Sequence, residues 1–159
     1  MKKVWIFFLF YFTINIALCE DKYFIRINNV DYLFELKSTE AANQIKEKLP
    51  FTVKMTNLNG NEVYHKFDDS FKKNEKSVGT INTGDIHLYK SDTLVLFYKT
   101  FSTSYQYTEV GNLVNKTNLD TVIGSGDVTV QWCKNTCVDS FSFIKMNYLI
   151  LLILIFLLF

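Results

Sequence analysis

The chain has 159 residues, of which 48% are hydrophobic and 16% are aromatic, and its formal net charge at pH 7 is +1. Much of the apolar content lies at the two ends, and residues 20–139 between them carry fourteen basic and sixteen acidic side chains. Because these charges nearly cancel and form no basic patch, nucleic acid is not an expected partner. The middle segment is long enough for one domain and no more.

The N-terminal segment, residues 1–19, has the layout of a secretory signal peptide. Two lysines precede an almost unbroken apolar run that ends at Leu18, and small residues stand before a cleavage point between Cys19 and Glu20. The run is short for a membrane anchor, which is one alternative. A bacterial lipoprotein modified on Cys19 is another, although Leu18 is larger than the residue that such a signal needs before the cysteine.

Residues 20–67 predict a hairpin, a helix and two further strands. Strand-forming runs flank a pair of asparagines, which tolerate turn geometry. Ser38 or Thr39 can cap a helix that ends before Pro50. Alternation of apolar and polar residues then predicts two strands that are joined by the polar turn Asn57–Glu62. An exposed polar loop follows.

The stretch 79–113 decides the fold class. Turn residues separate two strands, and the second strand contains the apolar run Leu94–Tyr98. Successive side chains of a strand face opposite sides, and Lys99 prefers water. We therefore expect Leu96 and its neighbours two positions away to face the protein interior, and Phe97 to face a second layer or a pocket.

Aromatic residues are concentrated in the same stretch, and together they present too much apolar surface to leave in water. Five fall within eleven positions: Phe97, Tyr98, Phe101, Tyr105 and Tyr107. Aromatic walls with a few placed amides are typical of small-ligand sites. We therefore predict a ligand pocket formed by six residues: Asn57, Asn59, Glu62, Phe97, Phe101 and Tyr105. The alternative is that these side chains only fill an opening of the fold.

After residue 113, the sequence predicts a short helical turn that ends at Gly124 and a last strand over residues 127–132.

Asn115–Thr117 is an acceptor pattern for N-glycosylation in a polar loop, with Asn115 as the modified residue. Cys133 and Cys137 are close enough in sequence for a local disulfide in an oxidising compartment. Since no second pair of ligands exists, a metal site is not expected.

The C-terminal tail, residues 146–159, is a second apolar segment, and nothing charged follows it. A membrane span needs about 20 apolar residues and is normally followed by basic ones. A short apolar tail behind a polar spacer, here residues 133–145, is typical of a GPI-anchor signal. The spacer offers three candidate residues for lipid attachment: Asn135, Asp139 and Ser140. A short membrane span and an uncleaved buried helix are the alternatives.

Seven motifs follow one another along the chain: Leu58–Glu62, Gly79–Ile81, Gly84–Ile86, Leu88–Tyr89, Leu94–Lys99, Phe101–Tyr105 and Gly124–Val130. In this order they resemble the cyclophilin-like domain family of small, mostly bacterial, uncharacterised proteins. The resemblance runs from about Tyr23 to Trp132. It implies a mainly β fold over residues 20–132: a closed, antiparallel cyclophilin-like β-barrel with one or two short helices. It implies no established activity and no cofactor.

The resemblance raises the question of prolyl isomerisation, because true cyclophilins share the barrel. Their active face uses a Phe-His-Arg run and a downstream Gln-x-Gly-Asp region. Here the one arginine, Arg26, lacks the preceding histidine, and Lys66 follows His65 where a planar guanidinium would be needed. His65 and His87 are more simply explained as satisfied side chains than as catalytic ones.

We therefore expect a domain that binds a small ligand or a protein without catalysis, with a diverged peptidyl-prolyl isomerase as the alternative. The two terminal signals place this domain on the extracellular face of the plasma membrane, held there by a C-terminal lipid or a short anchor.

Overall fold

The computed structural model describes residues 21–135, and the predicted signal peptide and the predicted C-terminal tail lie outside them. Eleven strands and two helices occur in the described part of the chain. In chain order they are β1 (Tyr23–Ile27), β2 (Val30–Leu36), α1 (Glu40–Lys48), β3 (Phe51–Leu58), β4 (Glu62–Lys66), β5 (Lys76–Ser77), β6 (Thr80–Ile81), β7 (Asp85–Tyr89), β8 (Thr93–Phe97), β9 (Phe101–Ser102), β10 (Gln106–Leu113), α2 (Leu119–Ile123) and β11 (Val128–Lys134).

Eight of these strands form a closed antiparallel barrel in the order β2-β1-β11-β3-β4-β8-β7-β10, and pairing of β10 with β2 closes it. The short strand β5 extends β10 at one edge, and β6 pairs with β9 in a separate two-stranded ribbon. The prediction of a mainly β, closed antiparallel barrel with one or two short helices is confirmed, and the described residues contain two helices.

The main core fills the barrel and is built from side chains that alternate inward along each strand. Trp132 of β11 is fully buried, and its ring lies 5.5 Å from that of Phe34 and 5.6 Å from that of Phe51. The apolar stripe of α1 joins this core through Ala41, Ala42 and Ile45. These contacts link the helix to the strands of the barrel.

The helix begins where the sequence predicts it. The hydroxyl of Thr39 accepts a hydrogen bond of 3.1 Å from the backbone N–H of Ala42, which satisfies one of the unpaired donors of the first turn. The prediction of a cap at Ser38 or Thr39 is therefore confirmed, with Thr39 as the capping residue.

Strand β8 contributes to two apolar layers. Leu94 and Leu96 lie in the main core, whereas Val95 and Phe97 belong to a second cluster outside the barrel, together with Ile81 and Tyr107. The predicted orientation of the strand is confirmed. The second cluster exists because the ribbon of β6 and β9 covers part of the outer face of β8.

Three element boundaries differ from the prediction. Strand β3 continues to Leu58, so that the polar turn is reduced to the three residues between β3 and β4. The polar loop after β4 contains the short strand β5, and β11 continues to Lys134. In each case backbone pairing with a neighbouring strand produces extended structure at residues that the sequence pattern does not predict as strand.

Within residues 21–135, no helix is both long enough and apolar enough to cross a lipid bilayer.

Barrel closure depends on a close backbone approach at Gly111. A register shift in the pairing of β10 with β7 falls between Glu109 and Gly111. A Cβ atom at Gly111 would overlap the backbone carbonyl oxygen of Glu35 on β2. Only glycine allows the two strands to meet here without a backbone shift.

We expect Gly111→Ala to lower the free energy of unfolding by about 1–3 kcal/mol, the usual cost of overpacking. Denaturant melts measure the change. Gly126→Ala is the matched control, because Gly126 lies in an exposed bend where a Cβ would meet no atom within 4 Å. Equal melting midpoints for the two variants would contradict a steric role for Gly111.

Candidate functional site

A cavity of about 520 Å³ lies on the outside of the barrel, between β4, the β7–β8 hairpin and the segment that follows β9. Its lining combines aromatic rings with amides, hydroxyls and one carboxylate. The lining residues are Leu58, Asn59, Asn61, Glu62, Tyr64, Tyr89, Thr93, Val95, Phe101, Ser102, Thr103, Ser104, Tyr105 and Tyr107.

Backbone hydrogen bonds bring the polar turn and the aromatic segment together. The carbonyl oxygen of Asn61 accepts from the N–H groups of Tyr98 and Lys99, at 2.9 and 3.3 Å. The N–H of Thr103 donates to the carbonyl oxygen of Gly79 at 2.9 Å, next to the pairing of β6 with β9. The walls of the cavity are thus fixed by main-chain contacts on both sides.

The aromatic wall is a connected set of rings. Tyr89 lies 5.7 Å from Tyr107 and 5.9 Å from Tyr105, measured between ring centroids. Phe97 lies 5.6 Å from Tyr107 and 5.8 Å from Phe101. These distances are those of favourable tilted and edge-to-face pairs, which hold the rings in place. Tyr105 is 61% exposed and lies at the open side of the cavity.

Glu62 is the one formally charged residue in the lining of this cavity. It lies on the same face of β4 as Tyr64, and burial raises the pKa of its carboxyl group. Burial, followed by the charge of Glu62, raises the pKa of the Tyr107 hydroxyl to about 12. Among residues 21–135 no cation forms a salt bridge with Glu62. No ion pair from that part of the chain therefore offsets its negative charge.

A buried histidine lies beneath the aromatic wall. His87 is 3% exposed, and its ring packs 5.7 Å from Phe97 and 5.6 Å from Tyr107. Its Nδ1 atom has no hydrogen-bond partner within the described residues, and its Nε2 atom lies 3.9 Å from the carboxylate of Asp85. Burial lowers the pKa of His87, against the opposing effect of Asp85 and Glu109. The imidazole is therefore neutral at pH 7.

The structure brings four of the six predicted pocket residues to the cavity: Asn59, Glu62, Phe101 and Tyr105. Phe97 is 0% exposed and lies below the wall, where it supports Phe101 and Tyr107. Asn57 faces the inward side of β3 at the end of the barrel, and its Oδ1 atom accepts a hydrogen bond of 3.0 Å from the Tyr98 hydroxyl. Its backbone N–H donates to the carboxylate of Asp127 at 3.1 Å, so that Asn57 links two loops.

Several lining residues were not included in the sequence-based prediction. Tyr64 and Val95 face the cavity because β4 and β8 present alternate side chains to it, and Tyr89 reaches it from the end of β7. Alternation with the buried Val63 marks Tyr64 as outward-facing in the sequence. That signal does not tell which outward face has a cavity.

The candidate modification residues lie away from this cavity. Asn115 is exposed, and its Oδ1 atom accepts hydrogen bonds from the backbone N–H and the hydroxyl of Thr117, at 2.9 and 2.7 Å. Cys133 is buried and disulfide-bonded. Its pairing with Cys137 stays a prediction, because Cys137 lies outside the described residues. Asn135 accepts a hydrogen bond of 3.1 Å from the N–H of Lys22. The other two candidates for lipid attachment, Asp139 and Ser140, lie outside the described residues.

Among the described residues, no side-chain cluster fits a metal ion, and Arg26 is paired away from the cavity. No group of three or more His, Cys, Asp or Glu side chains within residues 21–135 is arranged to hold a metal ion. The guanidinium of Arg26 donates to the carboxylate of Asp31 at 2.6 and 2.9 Å, and Arg26 is not among the residues that line the cavity.

Comparison with known proteins gives one match at the level of a family. Residues 25–133 match the model of the cyclophilin-like family, which is more than half of the chain. No curated protein matches the chain.

We expect the buried His87 to make the domain less stable in mild acid. An unfolded chain binds a proton on histidine below a pH of about 6.5, whereas the folded domain resists that proton. The free energy of unfolding should therefore fall as the pH drops from 7.5 to 5.5, by up to about 1.4 kcal/mol per pH unit. Denaturant melts across this range measure the slope.

The His87→Phe variant keeps an aromatic ring among the same neighbours and removes the titration. The slope between pH 7.5 and 5.5 should shrink in this variant. Glu62 acts with the opposite sign, since its raised pKa lets the folded domain hold a proton that the unfolded chain has released, but it is present in both proteins and cancels in the comparison. An unchanged slope would show that His87 does not control acid stability.

Proposed function

This chain belongs to the cyclophilin-like family. We propose that its barrel is a non-enzymatic binding domain whose outer cavity receives a small ligand. The observation that carries the proposal is the composition of the cavity wall, where a connected set of aromatic rings meets the amides of the β3–β4 turn and the hydroxyls of residues 102–104.

The size of the cavity agrees with this function. Ligand sites typically enclose about 300–1,000 Å³ and combine an apolar wall with a few polar groups that orient the ligand. The cavity here has about 520 Å³. Its walls are held by backbone hydrogen bonds and ring contacts, so little conformational entropy would be lost when a ligand binds.

The chemistry of the cavity favours binding over prolyl isomerisation. An arginine that stabilises a twisted amide must reach the substrate, whereas Arg26 is paired with Asp31 and does not line the cavity. His87 lies below the wall and is buried, so its ring does not reach a peptide in the cavity. Membership of a barrel family does not by itself transfer an activity.

We also propose that the domain is secreted and held at the outer surface of the cell. The disulfide at Cys133 supports passage through an oxidising compartment, where such bonds persist. The exposed Asn115 is accessible to a glycosylating enzyme. The apolar segments at the two ends of the sequence supply the signal peptide and the lipid-anchor signal in this proposal.

If the cavity is a ligand site, fragments with an aromatic or alkyl body should bind in it. A fragment library is screened against the purified full-length chain by saturation-transfer NMR. Ser104→Trp should abolish the signals, because Ser104 is exposed, lines the cavity and would place an indole in it. Ser125→Trp is the matched control, since Ser125 is an equally exposed serine in a bend that does not line the cavity.

Fragment signals that survive in Ser104→Trp would contradict the proposed site. A prolyl-peptide turnover assay tests the absence of catalysis in the same preparation. Clear isomerase activity that is lost in Arg26→Ala would contradict the non-enzymatic function.

The proposed lipid anchor predicts release of the protein from cells by phosphatidylinositol-specific phospholipase. The released chain should lack residues 146–159, because attachment of the lipid removes the apolar tail. Peptide mapping by mass spectrometry checks this. Retention on the membrane after complete digestion, with peptides of residues 146–159 detected, would show a membrane span instead.

A further inference from the structure

The lining of the aromatic cavity has a negative formal charge. Glu62 is the one formally charged residue of its lining, and no cation among the described residues forms a salt bridge with it. Asn61, at the adjacent position, has an Oδ1 atom with no hydrogen-bond partner in the same part of the chain. Both groups favour a positively charged ligand, and an anion would meet Glu62 with no compensating charge among the lining residues.

The aromatic rings have the same preference. The face of a tyrosine ring is electronegative, and it attracts a cation within about 6 Å of the ring centroid. Tyr64, Tyr89, Tyr105 and Tyr107 all contribute to the lining. The ammonium of Lys90 lies 5.4 Å from the centroid of Tyr89, so the face of this ring is within reach of a cation.

The wall also discriminates between kinds of cation. A primary ammonium is strongly hydrated and needs several acceptors in place of its water. An alkylated ammonium carries its charge on an apolar surface and gains both ring contact and electrostatic attraction from an aromatic wall. The cavity offers one carboxylate and neutral amide and hydroxyl groups as acceptors, and four tyrosine rings in its aromatic wall. The rings give an alkylated cation a contact area that a hydrated primary ammonium would not gain, so the cavity suits the alkylated cation better.

We propose that the ligand of this cavity carries a methylated ammonium group, held against the tyrosine rings with its charge compensated by Glu62. This inference rests on the proposed ligand-binding function and adds the chemical class of the ligand. The group occurs both in free choline-like molecules and in the headgroup of choline lipids.

The test compares choline with 3,3-dimethylbutan-1-ol, its neutral isostere, in NMR titrations of the full-length chain. Choline should bind at least about tenfold more tightly, the equivalent of about 1.4 kcal/mol. Equal affinity of the two molecules would overturn the proposal, because shape and apolar area are the same in both.

Two pairs of variants separate the charge from the rings. Glu62→Gln keeps the shape of the side chain and should weaken choline binding about tenfold, whereas Glu47→Gln on the exposed face of α1 should leave it unchanged. Tyr105→Phe should retain affinity, and Tyr105→Leu should lose several-fold, because leucine keeps an apolar contact and lacks the ring. Tyr105 is largely exposed, so both substitutions leave the fold intact.

The outcomes distinguish this inference from the proposed function. If fragments bind and Ser104→Trp blocks them, but choline does not bind, the methylated ammonium ligand is wrong and the ligand site stands. If neither the fragments nor choline bind, both the ligand site and the methylated ammonium ligand are wrong. A soluble short-chain phosphatidylcholine identifies the source: tighter binding than choline indicates a lipid headgroup, equal binding indicates the free ion, and both support the methylated ammonium group.

Discussion

Pairing of β10 with β2 is the contact on which this structure depends, because it turns an eight-stranded sheet with two open edges into a barrel with none. Strand β10 pairs with β7 and β2 at the same time, and a register shift in its pairing with β7 lies next to Gly111, where its pairing with β2 begins. Shifts of this kind increase the local twist of a strand. The missing side chain of Gly111 lets the two backbones come close enough to complete the ring.

In the closed barrel, every strand has one face toward the core and one face toward the outside. The inward face of β8 fills the core, and its outward face, with Val95 and Phe97, is equally apolar and has to be covered. The β6–β9 ribbon and Tyr107 provide this cover. The cover does not extend over all of the outer face, and the cavity is the space that remains between it and β4. The candidate site is thus a consequence of how the second apolar layer is built.

The half-buried Glu62 costs free energy in the folded protein, since burial raises the pKa of its carboxyl group and no described cation offsets the charge. His87, whose ring packs against those of Phe97 and Tyr107, is buried in its neutral form. Ionisable groups that are held against their preferred solvation are concentrated at functional sites. Here both groups lie on the same outer layer, one in the lining and one beneath it.

Much of this protein is determined by local patterns in the sequence. Residue types and spacing predict the alternation along Leu94–Tyr98, a helix cap at Ser38 or Thr39 and the helical turn before Gly124. Period-two alternation identifies the two faces of a strand, because it depends only on the backbone. The closed antiparallel barrel follows from the motifs that resemble the family.

The candidate site required the tertiary structure. Sequence proximity grouped Asn57 with Asn59 and Glu62, yet the alternation of β3 turns Asn57 toward Tyr98 and the barrel end. Tyr64 and Tyr89 are distant in sequence, and they line the same cavity because β4 and β7 both flank β8. The sequence by itself determined the strands of the barrel, their faces and the fold class, whereas the cavity was decided by the register of non-local pairs. Register is a property of two strands together, and no pattern within one strand specifies it.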